Sequence, residues 1–178
     1  MLVIYLVTTY NSLIKKEEKV KQAWSQVQST YQRRLDLVPN LVNVVKGVSE
    51  FESGTLEDIA RARSRALETR TDDVSAENYN KQKSTQDTLA AATNRLILVI
   101  EKYPVLKGTA AYRGLQTQLV GTERRIKVAR TDFNAAVADY NTTVRSSGAG
   151  PVAGLFGFKV KEGFQADAGA EKSVEIKF

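Results

Sequence analysis

Two residue types are absent from the 178-residue sequence altogether: cysteine and histidine. Without cysteine there is no disulfide, iron–sulfur cluster, zinc thiolate or cysteine nucleophile. Without histidine the chain lacks the commonest general base and metal ligand, and Ser–His–Asp and Cys–His catalysis are excluded. Proline is scarce, at three residues. What remains is rich in charge, with 26 basic and 20 acidic residues and a formal net charge of +6. The positive charge is spread along the chain, whereas a dedicated nucleic-acid binder concentrates it. Dense charge with little proline fits a helical protein with wet outer faces. At this length one domain can bury a core without disulfides or metal.

The first 14 residues, MLVIYLVTTYNSLI, carry no charge. As a helix they span about 21 Å, against a bilayer core about 30 Å thick. The segment is therefore too short to cross alone, and it lacks the basic start of a secretory signal. Lys15, Lys16, Lys19 and Lys21 follow at once, interleaved with Glu17 and Glu18. An apolar end abutting lysines is how a membrane-embedded helix leaves lipid. Leu2, Val3, Ile4, Tyr5, Leu6 and Val7 are thus candidate membrane contacts, with Lys15 and Lys16 at the head groups. The alternative is a helix end packed on the domain's own core.

Helical periodicity dominates the rest. Leu13, Val20, Trp24, Val27, Tyr31 and Val38 fall at heptad-compatible spacings. Pro39 lacks an N–H and crowds the preceding turn, so the first helix is expected to break or kink near Val38. A second helical stretch continues to about Thr69, with Val42, Val45, Val48, Phe51 or Glu52, Leu56, Ile59 and Ala62 or Ala66 inward. Thr71, Asp72, Asp73 and Ser75 offer caps for a third helix. That helix has a stripe polar at its start (Gln82, Thr85 or Gln86) and apolar at its end (Leu96, Val99 or Ile100), and Pro104 stops it. The last helix, from about Thr109 to Arg145, steps by three and four from Tyr112 to Val144. The expected fold is all-α: an elongated antiparallel bundle of three to four long helices with a partly extended C-terminal tail. The division expected is an apolar anchor or interface segment (1–14), a long-helix bundle (15–147) and a Gly/Phe-containing tail (148–178).

Arg33, Arg34, Asp36, Pro39 and Asn40 form one candidate interaction cluster. Asp36 can pair with Arg33 or with an arginine across the bundle. Arg34 falls near the inward stripe, where Glu123, Asp132 or Asp139 can meet it. Such a pair can fix helix register. Phe156, Phe158 and Phe164 form a second cluster beyond the helices. They either fold back over one end of the bundle or reach a neighbouring subunit or a membrane. The aromatic stripe of Trp24, Tyr31, Tyr112, Phe133 and Tyr140 sits at seam spacing and reads as core. No catalytic, cofactor or metal site is read, because a di-iron bundle needs histidine and a narrow bundle offers no obvious cleft. Arg61, Arg63 and Arg65, and then Arg124, Arg125, Lys127 and Arg130, are basic clusters on helices without interleaved aromatics. They read as solvated faces rather than a nucleic-acid site.

Seven blocks resemble the LemA family: YNSLIKKEEKVKQAWSQV, YQRRLDLVPNLVNVVKG, TLEDIARARSRA, EKYPVLKG, LQTQLVGTERRIKVAR, FNAAVADYNTTV and FGFKVKEGFQAD. The resemblance covers nearly the whole chain in the family's order. It implies a short N-terminal membrane anchor and a long-helix bundle, with links to envelope functions and, in magnetosome-forming bacteria, to membrane compartments. It carries no catalytic residues over. The family has a longer apolar segment before Tyr10-Asn11, often reads His-Glu where this chain has Phe51-Glu52, and often carries Phe-Pro where this chain has SSGAG. The expectation is a non-enzymatic, N-terminally anchored cell-membrane protein that self-associates to scaffold or shape a bacterial membrane, its partners being lipid, further copies of itself and, in one version, another envelope protein. The alternative is an adaptor that docks a partner protein through its bundle face or aromatic tail.

Overall fold

The computed structural model describes residues 1–46, 53–71 and 73–164. Among the described residues there are six helices and no strand: α1 (Leu2–Lys46), α2 (Ser53–Glu68), α3 (Ala76–Ile100), α4 (Pro104–Lys107), α5 (Ala110–Arg145) and α6 (Gly150–Leu155). The chain is all-α, as its periodicity predicts. Ser75 and Thr109 cap α3 and α5, accepting hydrogen bonds from the backbone N–H of Asn78 and Tyr112. Asp72, another candidate cap, lies outside the described residues, as do Val48, Phe51 and Glu52.

The two longest helices, α1 and α5, pack antiparallel. Lys16 meets Asp139 near one end, and Arg34 meets Glu123 farther along. α2 folds back along the second half of α1, where Arg70 and Thr71 beyond it meet Gln32 and Gln28. α3 reverses again and places Tyr79 beside Trp24. One end of the molecule is therefore a four-helix bundle. Toward the other end α1 and α5 continue as a pair, covered by α6 and the tail. The core divides accordingly. Leu35, Val38, Leu41, Ile59, Leu89 and Leu96 fill the four-helix end. Leu13, Trp24, Tyr79, Phe133, Tyr140 and Phe164 belong to the other cluster.

The first helix does not end at Val38. It runs through Pro39 to Lys46. A proline inside a helix leaves the carbonyl four residues back without its usual donor, which here is that of Leu35. Arg63 of α2 supplies the replacement: its Nε donates to the Leu35 carbonyl at 3.2 Å. The proline thus creates an acceptor on α1 that α2 occupies, and a local helix defect becomes a tertiary contact.

This pairing predicts a double-mutant coupling. Arg63→Ala should cost about 1 kcal/mol in urea unfolding, typical of a hydrogen bond from a charged donor at a partly exposed site. In a Pro39→Ala background the regained backbone N–H remakes the helical bond to Leu35, and the cost should shrink markedly. Equal costs in both backgrounds would refute the link.

Candidate functional site

The candidate membrane contacts lie at the free end of α1. Leu2, Val3, Ile4 and Val7 are each more than half exposed, while Leu6 turns inward onto the core. Met1 to Ile14 carry no side-chain charge to oppose this exposure. The tip is pinned against the far end of α5: the Tyr5 hydroxyl donates to the Gly148 carbonyl. One helical turn farther along, Tyr10 meets Phe156 at 4.8 Å and Phe158 at 5.8 Å between ring centroids. Lys15 is exposed. Lys16 is half-buried and paired with Asp139, so its charge is largely engaged within the protein. Among the described residues no helix is long and apolar enough to cross a membrane.

The tail folds back along the α1–α5 pair. Helix α6, which the glycines and Pro151 concealed in the sequence, is followed by a turn at Gly157, whose φ of 76° is the left-handed region that favours glycine. Beyond it the chain is held by two asparagines of α5, one heptad apart. Asn141 accepts from the Lys161 N–H at 2.8 Å and donates to the Lys161 carbonyl at 2.6 Å. Asn134 does the same for Phe164, at 2.7 and 3.1 Å. The geometry matches because a helical heptad rises about 10.5 Å and three extended residues span about 10 Å. Each side-chain amide therefore behaves as a neighbouring strand would. Tyr140 adds a hydrogen bond to the Lys159 carbonyl at 3.0 Å, and Lys161 pairs with Glu17 at 3.0 Å.

The clamp delivers Phe164 into a four-ring cluster with Trp24, Tyr79 and Phe133. Its centroid lies 5.3 Å from both Tyr79 and Phe133 and 6.0 Å from Trp24, all in tilted or edge-on contacts. Burial, with Glu162 nearby, pushes the Tyr79 phenol up to about 12. Its folded-state value is raised, so this stabilisation is present below the ordinary phenol range and is lost as pH climbs toward 12. Of the three tail phenylalanines only Phe156 is exposed; Phe158 is half-buried and Phe164 buried.

The other cluster does not assemble as a unit. Arg33 and Asn40 are exposed, and Asp36 accepts from Gln32 at 2.7 Å rather than pairing with Arg33. Arg34 alone turns inward and is 2% exposed. It forms a two-pronged pair with Glu123 of α5, its Nε lying 2.9 Å from Oε1, and donates through Nη1 to the Gln86 carbonyl of α3 at 2.8 Å. A second arginine ties the same three helices and was not legible from its basic neighbours. Arg130 of α5 donates to the Tyr31 hydroxyl at 2.9 Å and to Asp87 at 2.8 Å, and lies over the Tyr31 and Phe164 rings. Between α3 and α5 these groups line a cleft of about 930 Å³ that Arg34 and Phe164 share. Among the described residues no cluster of potential metal ligands occurs.

The profile of the LemA family matches residues 23–178, most of the chain. The chain belongs to the LemA family. The matched LemA region includes Arg34, Pro39, Arg63, both clamp asparagines and the tail. Magnetosome protein MamQ 2 of Paramagnetospirillum magneticum is 26% identical over 90% of this chain and 66% of the relative. Protein LemA of Metamycoplasma hominis is 25% identical over 75% of this chain and 58% of the relative. Magnetosome protein MamQ of Magnetospirillum gryphiswaldense is 36% identical over 41% of this chain and 27% of the relative. The chain thus spans somewhat less than two thirds of the length of the first of these relatives. None of these names describes a reaction.

The clamp yields a direct test. A Cβ at Gly163 would lie 2.7 Å from Asn134 Oδ1, so Gly163→Ala should displace the amide and loosen Phe164, at a cost of about 1–2 kcal/mol. Phe164→Ala should cost about 3 kcal/mol or more. Trp24, the chain's single tryptophan, reports both: its emission should shift to the red while helical circular dichroism stays near that of the parent. Unchanged emission in Phe164→Ala would contradict the placement.

Proposed function

We propose that this protein is a non-enzymatic, membrane-anchored helical scaffold that works by self-association at a bacterial membrane. The observation that carries the reading is the apolar free end of α1. Leu2, Val3, Ile4 and Val7 stand exposed at the extremity of a helix whose remaining apolar residues are largely turned into the core. An aqueous monomer gains nothing from displaying them together. The resemblance to LemA proteins implies an anchor at this end, and two similar proteins carry the name magnetosome protein.

Self-association strengthens such a contact, because linked copies gain avidity without new lipid contacts. The outer face of α5 supports lateral packing, since Val120 and Val128 are exposed two turns apart. The adaptor alternative draws less support, because Phe158 and Phe164 face the protein's own interior.

The test is flotation with liposomes combined with sedimentation velocity. Replacing Leu2, Val3, Ile4 and Val7 together by serine should leave the fold intact, release the protein from liposomes and reduce its assembly size. Undiminished flotation would defeat the anchor, and an unchanged assembly size would uncouple assembly from it.

A further inference from the structure

The apolar end of α1 is not the only lipid-compatible surface at this end of the molecule. α6 and the turn after it project beside it. Leu155 is 73% exposed and Phe156 50% exposed, although Phe156 meets Tyr10 in a tilted ring contact. With Tyr5 held to Gly148, the α5–α6 connection lies level with the second turn of α1, and Phe156 lies level with the third. The apolar surface of α1 thus continues sideways onto a second element from the other end of the sequence. Tyr10 and Phe156 meet here, with Tyr5 nearer the tip, and tyrosine is a residue type that a bilayer interface favours.

The charge nearest the tip is positive, and the first carboxylates, Glu17 and Asp139, lie just beyond it. Residues 1–16 and 140–161 contain no Asp or Glu, but include Lys15, Lys16, Arg145, Lys159 and Lys161. Lys16 and Lys161 are engaged by Asp139 and Glu17. Lys15, Arg145 and Lys159 are exposed. Apolar and aromatic groups backed by outward cations match the interior, interface and anionic head groups of one leaflet, in that order.

We propose that Leu155 and Phe156 form a second membrane-inserting element, which enters an anionic bilayer beside the α1 tip and sets the α1–α5 pair upright on it. The inference rests on the anchor reading above and deepens it. Two contacts on different chain segments restrict tilt and rotation, which a single point of contact does not.

The test uses the full chain and vesicles of equal parts phosphatidylcholine and phosphatidylglycerol carrying shallow doxyl-labelled lipid. Trp24 is 1% exposed and serves as a silent background. Tryptophan is placed separately at Ile4→Trp, Leu155→Trp and, at the opposite end, Val105→Trp. The expected result is quenching and a blue shift for the first two and neither for the third. Arg145→Ala with Lys159→Ala should lower partitioning into these vesicles about thirtyfold and leave binding to pure phosphatidylcholine nearly unchanged. Quenching of Ile4→Trp without Leu155→Trp overturns the second element and leaves the anchor standing. Quenching of neither overturns both. A blue shift of Leu155→Trp without vesicles, growing with protein concentration, assigns the surface to a second copy of the chain and overturns the proposal.

Discussion

The pairing of α1 with α5 governs everything else in the molecule, and a buried guanidinium fixes its register. Apolar residues at steps of three and four hold two long helices together but set their relative position poorly, because a slip of one heptad restores much of the same pattern. Arg34 removes that freedom. It is 2% exposed, and its hydrogen bonds reach Glu123 on α5 and Gln86 on α3. A slip would leave the charge buried without a partner, which costs several kcal/mol. Glu123 itself is half exposed, so the pair lies at the lip of a cleft rather than in a dry interior. With the register set there, Lys16 meets Asp139 and Tyr5 meets Gly148 at the far end.

A second theme is the use of side chains where backbone partners are missing. Pro39 denies the Leu35 carbonyl its helical donor, and Arg63 replaces it. The tail has no strand to pair with, and Asn134 and Asn141 present amides at the spacing an extended chain requires. Both devices convert an unsatisfied peptide group into a link between distant segments. Gly163 shows how closely the tail approaches, since a single methyl group there would displace Asn134.

The helices were legible because their periodicity is long and regular, and Arg34 was legible as an inward charge because it falls beside the Trp24–Tyr31–Val38 stripe. Pro39 misled because its local effect on a helix is readable, whereas the donor that rescues the helix lies 24 positions later in the numbering, on another helix. Arg130 stayed hidden because Arg124, Arg125 and Lys127 precede it closely in sequence while the fold turns it toward Tyr31 and Asp87. The asparagine clamp was equally obscure. A heptad pair of asparagines has meaning only beside the extended chain it holds, and Asn134 and Asn141 read as ordinary polar positions next to the Phe133 and Tyr140 seam. α6 was missed because its glycines and proline signal a loop, although proline is well suited to a first turn.

Function follows from how these constraints sort the surface. The seam buries Trp24, Tyr31, Tyr79, Tyr112, Phe133 and Tyr140, the clamp draws in Phe164, and the exposed apolar groups of α6 gather at the same end as the α1 tip, with Lys15, Arg145 and Lys159 exposed nearby. The end formed by the α1 tip and α6, and not the flanks or the α3–α4 end, is the surface we propose meets the membrane. Hydrogen–deuterium exchange on the full chain, with and without anionic vesicles, tests it most directly. Added protection is expected at residues 1–10 and 148–158 alone. Protection centred on residues 95–110, or no difference on adding vesicles, would contradict it.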